Sequence, residues 1–153
     1  MMARMAALYP RGPINLGDRV RPLPIDGTIP TLSDWRWVHT PGHTAGHVAL
    51  FRDTDRALIA GDAFCTTKQE SFFAVATQKP ELHGPPAYFT TDWDAARDSV
   101  RRLAALEPAF IAPGHGQPMA GVQALQSLTE LSQRFDEVAR PEHGRYVEHP
   151  TRR

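Results

Sequence analysis

The sequence predicts an α/β fold in which helices pack on one side of a mixed, mainly antiparallel β-sheet. Short runs of alternating or apolar residues, bounded by Pro, Gly and Asp, indicate strands. Two later segments repeat apolar residues every three or four positions, as amphipathic helices do. We expect strands near residues 18–24, 35–39, 47–52, 56–60 and 109–112 in one sheet, with helices that begin near Thr91 and Gly121 packed against it.

The beginning of the chain is predicted to form irregular and edge structure. Met2 to Leu8 is a short apolar, helix-like run. Residues 18–24 are predicted as a strand, and Pro22 and Pro24 place it at a sheet edge because proline donates no hydrogen bond to a ladder.

Residues 34–64 contain three predicted strands and two sharp turns. The segments 47–52 and 56–60 are joined by Asp-Thr-Asp, which is typical of a hairpin turn. His43 lies on the loop before this hairpin, behind a Pro-Gly pair, and Asp62 follows the third strand directly. Two metal-competent side chains on turns at strand ends make a candidate metal site.

The next segment is predicted to border that site. Cys65 to Gln78 begins polar and ends apolar, and we interpret its apolar end (Phe72, Phe73 and Val75) as a short helix or lid. Residues 79–88 form a proline-rich loop that is not expected to be regular. His83 and Tyr88 on this loop are candidate substrate contacts, although a rigid surface loop is the favoured interpretation.

The clearest predicted helix runs from Thr91 to Leu106. Thr91 is expected to cap its N-terminus together with Asp94, because a hydroxyl with an acidic residue three positions later resembles a capping box. Its predicted buried face consists of Trp93, Ala96, Val100 and Leu103.

A second helix is predicted from Gly121 to Arg140. Its expected buried stripe consists of Val122, Leu125, Leu128, Leu131, Phe135 and Val138. Residues 141–153 are polar and are predicted to form a flexible tail. His143 and His149 in this tail are poor ligand candidates.

Composition indicates one soluble globular domain over residues 1–153. Seventeen Lys and Arg balance 17 Asp and Glu, so no net charge favours nucleic acid or an anionic membrane as a partner. Cys65 is the single cysteine, which excludes an intramolecular disulfide. The first ten residues are too short and interrupted for a signal peptide or membrane span, so a cytoplasmic location is expected.

Three ordered motifs give these observations a family context. They are HTPGHTAGH around His43, AGDAF around Asp62 and APGHG around His115, with separations of 19 and 53 residues. Together they resemble the later metal motifs of the metallo-β-lactamase superfamily. The resemblance extends from about Ile14 to the helix after His115.

The resemblance implies a zinc-dependent hydrolase and assigns roles to three residues. His43 would complete the ligands of a first metal, Asp62 would bridge two metals and take part in catalysis, and His115 would bind the second metal. The substrate would be a small molecule with an ester, thioester, lactam or phosphodiester group. The implied fold is the C-terminal half of the family's αββα sandwich.

The family's first metal motif, H-x-H-x-D-H, has no counterpart in this chain. The histidines are His39, His43, His47, His83, His115, His143 and His149. The chain therefore resembles a C-terminal portion that lacks four ligands, and a start codon inside a longer reading frame would produce such a portion. We expect an impaired site that binds at most one zinc ion weakly.

The same residues admit other roles. Loop bracing by hydrogen bonds is the alternative for His43, Asp62 and His115. His47 is expected to pack or form hydrogen bonds rather than bind metal, and Cys65 is expected to be a small buried residue. No G-x-S-x-G sequence supports a serine nucleophile.

The function hypotheses that follow belong to different classes. The first is a metal-dependent hydrolase with an impaired site. The second is a non-catalytic binding or assembly module that pairs with a chain supplying the missing half, and the third is a structural remnant without a ligand. The open sheet face of a half sandwich predicts homo-oligomers or pairing with a complementing N-terminal half.

Overall fold

Five strands form a single mixed sheet in the order β1-β2-β3-β4-β5 in the computed structural model, which describes residues 15–67 and 81–148. The strands are β1 (Trp35–His39), β2 (Val48–Arg52), β3 (Ala57–Gly61), β4 (Phe110–Pro113) and β5 (Met119–Ala120). The helices are α1 (Trp93–Ala104), α2 (Gly121–Gln133), α3 (Phe135–Val138) and α4 (Arg145–Glu148). The predicted α/β class, a mixed sheet with helices packed on it, is confirmed.

The core lies between one face of the sheet and helices α1 and α2. Side chains alternate along each strand, so Phe51, Leu58 and Ile111 lie in register and point to the same face. All three are nearly inaccessible to solvent. The predicted α1 face is buried with them, and it consists of Trp93, Ala96, Val100 and Leu103.

The only parallel pairing among the described strands determines where the candidate residues lie. β3 pairs with β4 in parallel, and the connection between them includes α1. The carboxyl ends of these two strands therefore meet at one edge of the sheet. Asp62 follows β3 and His115 follows β4, so the topology brings their loops together.

The prediction of a strand at residues 18–24 is wrong. Gly17–Arg19 is a short 3₁₀ helix, and the residues after it belong to no strand. Two prolines in this segment lack the N–H groups that a ladder needs, and the chain approaches β1 later, through the isolated bridge between Thr28 and Arg36. Strand β5 was not predicted, because its two residues are too few for a periodic pattern.

The helix predictions need three corrections. Asp92, not Thr91, caps α1, because its side chain accepts a hydrogen bond of 2.9 Å from the Ala95 N–H. The second helix ends at Gln133, since Arg134 has non-helical φ and ψ angles of −112° and 22°. Val122 and Val138 are 72% and 47% exposed rather than buried.

Helical geometry explains the exposure of Val122. The buried positions of α2 include Ala124, Leu128 and Leu131, which are four and three residues apart. Val122 precedes Ala124 by two residues and so points about 200° away from it around the helix axis. Val138 lies beyond the break at Arg134, where the periodicity of α2 no longer applies.

Some of the predicted features fall on residues that the structure does not describe. The helix-like run from Met2 to Leu8 and the proposed lid around Phe72, Phe73 and Val75 lie outside the described ranges. Within the predicted tail, the structure places helix α4, and Val147 packs against the core. The flexibility of residues 141–153 stays a prediction.

Candidate functional site

Helix α1 holds the loop that carries His43. The Pro41 carbonyl accepts a hydrogen bond of 2.7 Å from the Ser99 hydroxyl, and the Gly42 carbonyl accepts 3.0 Å bonds from two backbone N–H groups just before α1. Gly42 has a φ of 137°, and a Cβ there would lie 2.5 Å from the backbone nitrogen of Ala96. Glycine is therefore required for the loop to pack this closely on the helix.

Two glycines bring Asp62 and His115 together at the ends of β3 and β4. The Gly114 N–H donates a 2.7 Å hydrogen bond to the Gly61 carbonyl, which joins the two loops directly. A Cβ at Gly114 would lie 2.3 Å from Oδ1 of Asp62. The Asp62 carboxylate thus occupies space that any side chain at position 114 would fill.

The structure brings all three predicted ligands into contact around the Asp62 carboxylate. Nε2 of His43 lies 3.4 Å from Oδ2 of Asp62, and Nε2 of His115 lies 3.4 Å from Oδ1. The side chain of His43 is 13% exposed, that of Asp62 29% and that of His115 51%. The site therefore opens to solvent on the His115 side.

These separations fit the spacing of metal ligands. Two ligand atoms with zinc bonds of 2.0–2.2 Å and a tetrahedral angle are about 3.3–3.6 Å apart. A charge-assisted hydrogen bond is shorter, at about 2.7–2.9 Å. Within residues 15–67 and 81–148, however, no group of three His, Cys, Asp or Glu side chains is placed to hold one ion. The pairs His43–Asp62 and His115–Asp62 are thus each spaced as two ligands of one ion would be, and Asp62 belongs to both pairs.

Thr90 lies beside the other ring nitrogen of His43. Its buried hydroxyl donates a 2.9 Å hydrogen bond to the Pro86 carbonyl, and its oxygen lies 3.5 Å from Nδ1 of His43. The His43 ring therefore lies between Thr90, near Nδ1, and Asp62, near Nε2.

Burial favours the neutral form of His43. Removal from water lowers the pKa of His43 below its ordinary value of 6.5, and nearby His115 lowers it further. The Asp62 carboxylate raises this pKa, but by less than burial lowers it. Burial therefore favours the uncharged imidazole, which is the form that binds metals.

His47 lies beside the site without offering a free nitrogen. Its Nε2 accepts a 3.0 Å hydrogen bond from the Asp62 N–H, and its Nδ1 lies 2.8 Å from the Thr40 hydroxyl. Burial is the largest effect on His47 and lowers its pKa, while the hydrogen bond with the Thr40 backbone opposes that change. The hydrogen bonds predicted for His47 are therefore present.

The other candidate residues lie away from these contacts. Cys65 is buried, as predicted, and pairs through backbone hydrogen bonds of 3.1 and 2.8 Å with His83. Both line a cavity of about 260 Å³ together with residues 84–87 and 138–141. Tyr88 is 79% exposed, and its contact with a substrate stays a prediction. Thr90 was missed by sequence analysis, because 47 residues separate it from His43.

Comparison with known proteins agrees with the motifs. Residues 2–115 match the model of a family described as the metallo-beta-lactamase superfamily. The chain is 48% identical over 138 residues to "Probable metallo-hydrolase YflN" of Bacillus subtilis (strain 168). That match covers 90% of this chain and 52% of the relative, so the chain spans about half of the relative's length.

Solved structures with similar chains are also found. A metallo-beta-lactamase family protein, TTHA1429 from Thermus thermophilus, is 26% identical with a TM-score of 0.43, over 67% of this chain and 30% of that one. TTHA1623, solved in a di-iron-bound form, is 26% identical with a TM-score of 0.49, over 78% of this chain and 51% of that one. In the part of the chain that the structure describes, no helix is long and apolar enough to cross a membrane.

Proposed function

The chain belongs to the metallo-β-lactamase superfamily, and from this premise we propose that it carries part of the active site of a metal-dependent hydrolase. The proposed metal is zinc, held by His43, Asp62 and His115. The proposed substrate is a small molecule with an ester, thioester, lactam or phosphodiester group. The name of the Bacillus subtilis relative, a probable metallo-hydrolase, supports hydrolytic chemistry, although this chain spans only half of that protein.

One observation carries the proposal. Nε2 of His43 and Nε2 of His115 each lie 3.4 Å from a different oxygen of the Asp62 carboxylate. This separation matches that of two ligands on one zinc ion, whose bonds of about 2.0–2.2 Å place the ligand atoms about 3.3–3.6 Å apart. Loop bracing by a direct hydrogen bond would instead give a shorter contact.

Each residue would then have a separate task. A bound metal ion would lower the pKa of water and polarise the substrate oxygen. Asp62 would supply negative charge beside both imidazoles. His115, which is half exposed, lies on the side from which a substrate would approach.

We further propose that these residues alone make an impaired site. They offer two ligands to each of two metal positions, whereas zinc sites in proteins use about three or four. One weakly bound ion is expected, with water in the remaining positions. Turnover should suffer more than binding, because a single ion cannot act on both the attacking and the leaving oxygen.

Calorimetric titration with zinc tests this proposal. Asp62→Ala should abolish binding, since Asp62 contributes to both positions. Asp18→Ala is the matched control, because it removes an exposed carboxylate in the short 3₁₀ helix and should leave the isotherm unchanged. Identical isotherms for the wild type and Asp62→Ala would show that Asp62 is not a ligand. Rapid zinc-dependent ester hydrolysis by the wild type would contradict the impaired site.

A second candidate function is an assembly module, favoured by the sheet face opposite the helices. Trp37, Leu50 and Ile59 lie in register on this face, and Ile59 is 41% exposed while its neighbours Leu58 and Ala60 are buried. The proposed occupant is a second β-sheet from a chain that carries H-x-H-x-D-H. Sedimentation of a mixture with the N-terminal half of a metallo-β-lactamase-fold chain that carries H-x-H-x-D-H should then show a complex, and Ile59→Lys should dissociate it. Two separate boundaries in the wild-type mixture at high micromolar concentration would refute this candidate.

A further inference from the structure

The peptide bond between Gly61 and Asp62 connects all three ligand-bearing segments. Its carbonyl oxygen accepts a 2.7 Å hydrogen bond from the N–H of Gly114, next to His115. Its N–H group donates a 3.0 Å hydrogen bond to Nε2 of His47, at the end of the loop that carries His43. Both polar groups of this peptide are therefore held, each by a different neighbouring loop.

The hydrogen bonds define the tautomer of His47. A backbone N–H can only donate, so Nε2 of His47 is the unprotonated nitrogen and the proton is on Nδ1. Nδ1 lies 2.8 Å from the Thr40 hydroxyl and 3.1 Å from the Thr40 carbonyl, and both oxygens can accept. The Thr40 N–H in turn donates a 2.9 Å hydrogen bond to the His47 carbonyl. The ring is thus held from both nitrogens.

The fit between this ring and the β3 terminus is close. Gly61 has a φ of 56°, and a Cβ there would lie 2.7 Å from Nε2 of His47. The His47 ring also meets the His43 ring edge to face, with centroids 6.2 Å apart. The same imidazole therefore contacts the backbone that positions Asp62 and the side chain of a proposed ligand.

We propose that His47 is a positioning residue that couples the His43 loop to the Asp62 turn through its Nδ1–H tautomer. It fixes the plane of the Gly61–Asp62 peptide, and so directs the Asp62 carboxylate between His43 and His115. The coupling exists in the metal-free chain. Its consequence for metal affinity rests on the proposed function above.

The first test uses the metal-free protein and is independent of metal binding. Long-range ¹H–¹⁵N spectra at neutral pH should show His47 with its proton on Nδ1. The Asp62 amide should exchange slowly with solvent in the wild type and in His39→Ala, but markedly faster in His47→Ala. His39 is the matched control because its Nε2 contacts the Ala45 carbonyl at 2.8 Å rather than the Asp62 turn. An Nε2–H tautomer, or equal Asp62 exchange in His47→Ala and the wild type, would overturn the proposal.

The second test measures zinc affinity in the same variants. His47→Ala should weaken binding by about 10–100-fold, the usual effect of removing a group that orients a ligand. His47→Gln keeps an acceptor for the Asp62 N–H, so it should recover part of the affinity and of the Asp62 protection. If His47→Ala does not fold, His47→Gln provides the test. Fast exchange of the Asp62 amide hydrogen in that folded variant would refute the coupling. A wild type that binds no zinc would refute the proposed function, while the exchange result would still decide the role of His47.

Discussion

Gly114→Ala is expected to displace the Asp62 carboxylate without unfolding the protein. The new Cβ would lie 2.3 Å from Oδ1 of Asp62, whereas ordinary contacts begin at 3.4 Å, so the carboxylate oxygen must move by about 1 Å. Metal–ligand bonds tolerate deviations of only about 0.2 Å. Because the obstructed atom is the end of a side chain, rotation of Asp62 can relieve the clash at little expense to the fold.

The two effects can be measured separately. Zinc affinity should fall by about 10–100-fold or more, since displacing a ligand should weaken binding at least as much as removing a group that orients a ligand. The free energy of unfolding should change by no more than about 1 kcal/mol, because the added methyl reduces the entropy of the unfolded chain and offsets part of the 3.2 Å contacts with the Gly61 backbone. Calorimetric titration gives the affinity, and urea denaturation gives the stability.

Gly46→Ala is the matched control for this experiment. Gly46 lies in the His43 loop, and a Cβ there would meet nothing within 4 Å, so the same substitution should leave zinc affinity unchanged. If the wild type binds zinc and Gly114→Ala binds it with the same affinity, Asp62 does not act as a ligand from its present position. If Gly114→Ala unfolds, the obstruction involves the backbone rather than the carboxylate.

Two further predictions concern stability. Gly42→Ala should reduce the free energy of unfolding by at least about 2 kcal/mol, because it adds left-handed backbone strain to a 2.5 Å clash with the Ala96 backbone. Urea denaturation measures this change, and an unchanged midpoint would contradict the close packing of the His43 loop on α1. Acid should weaken the fold through Asp53, whose pKa lies below its ordinary value of 3.8 because Arg36 donates a hydrogen bond to it. The unfolded chain takes up this proton at higher pH than the folded chain, so the stabilisation is present above about pH 4 and is lost as pH falls through the lowered pKa. Arg36→Ala should therefore reduce the slope of stability against pH below about pH 4, and an unaltered slope would show that this pair makes no contribution.

Local patterns were sufficient for most of the sheet and for the first helix. Residues 35–39 were predicted as a strand with the bounds that β1 has, and the 56–60 segment is shifted by one residue from β3. The turn at residues 53–55 indicated the β2–β3 hairpin, because the residues that favour a turn are adjacent in the sequence. Where several backbone groups compete, sequence reasoning failed: Thr91 precedes α1 but donates to the Gly42 carbonyl, and Asp92 became the cap.

The sequence by itself determined which residues to consider at the site. His43, Asp62 and His115 stand in ordered motifs, and their role as metal ligands stays a prediction. The tertiary structure alone decided how they meet, through the parallel pairing of β3 with β4 and through contacts between residues far apart in the chain, such as His115 with Asp62. Tautomers, hydrogen-bond partners and the obstruction at Gly114 follow from small differences in distance. Such distances depend on the whole packed core, so no local pattern in the chain encodes them.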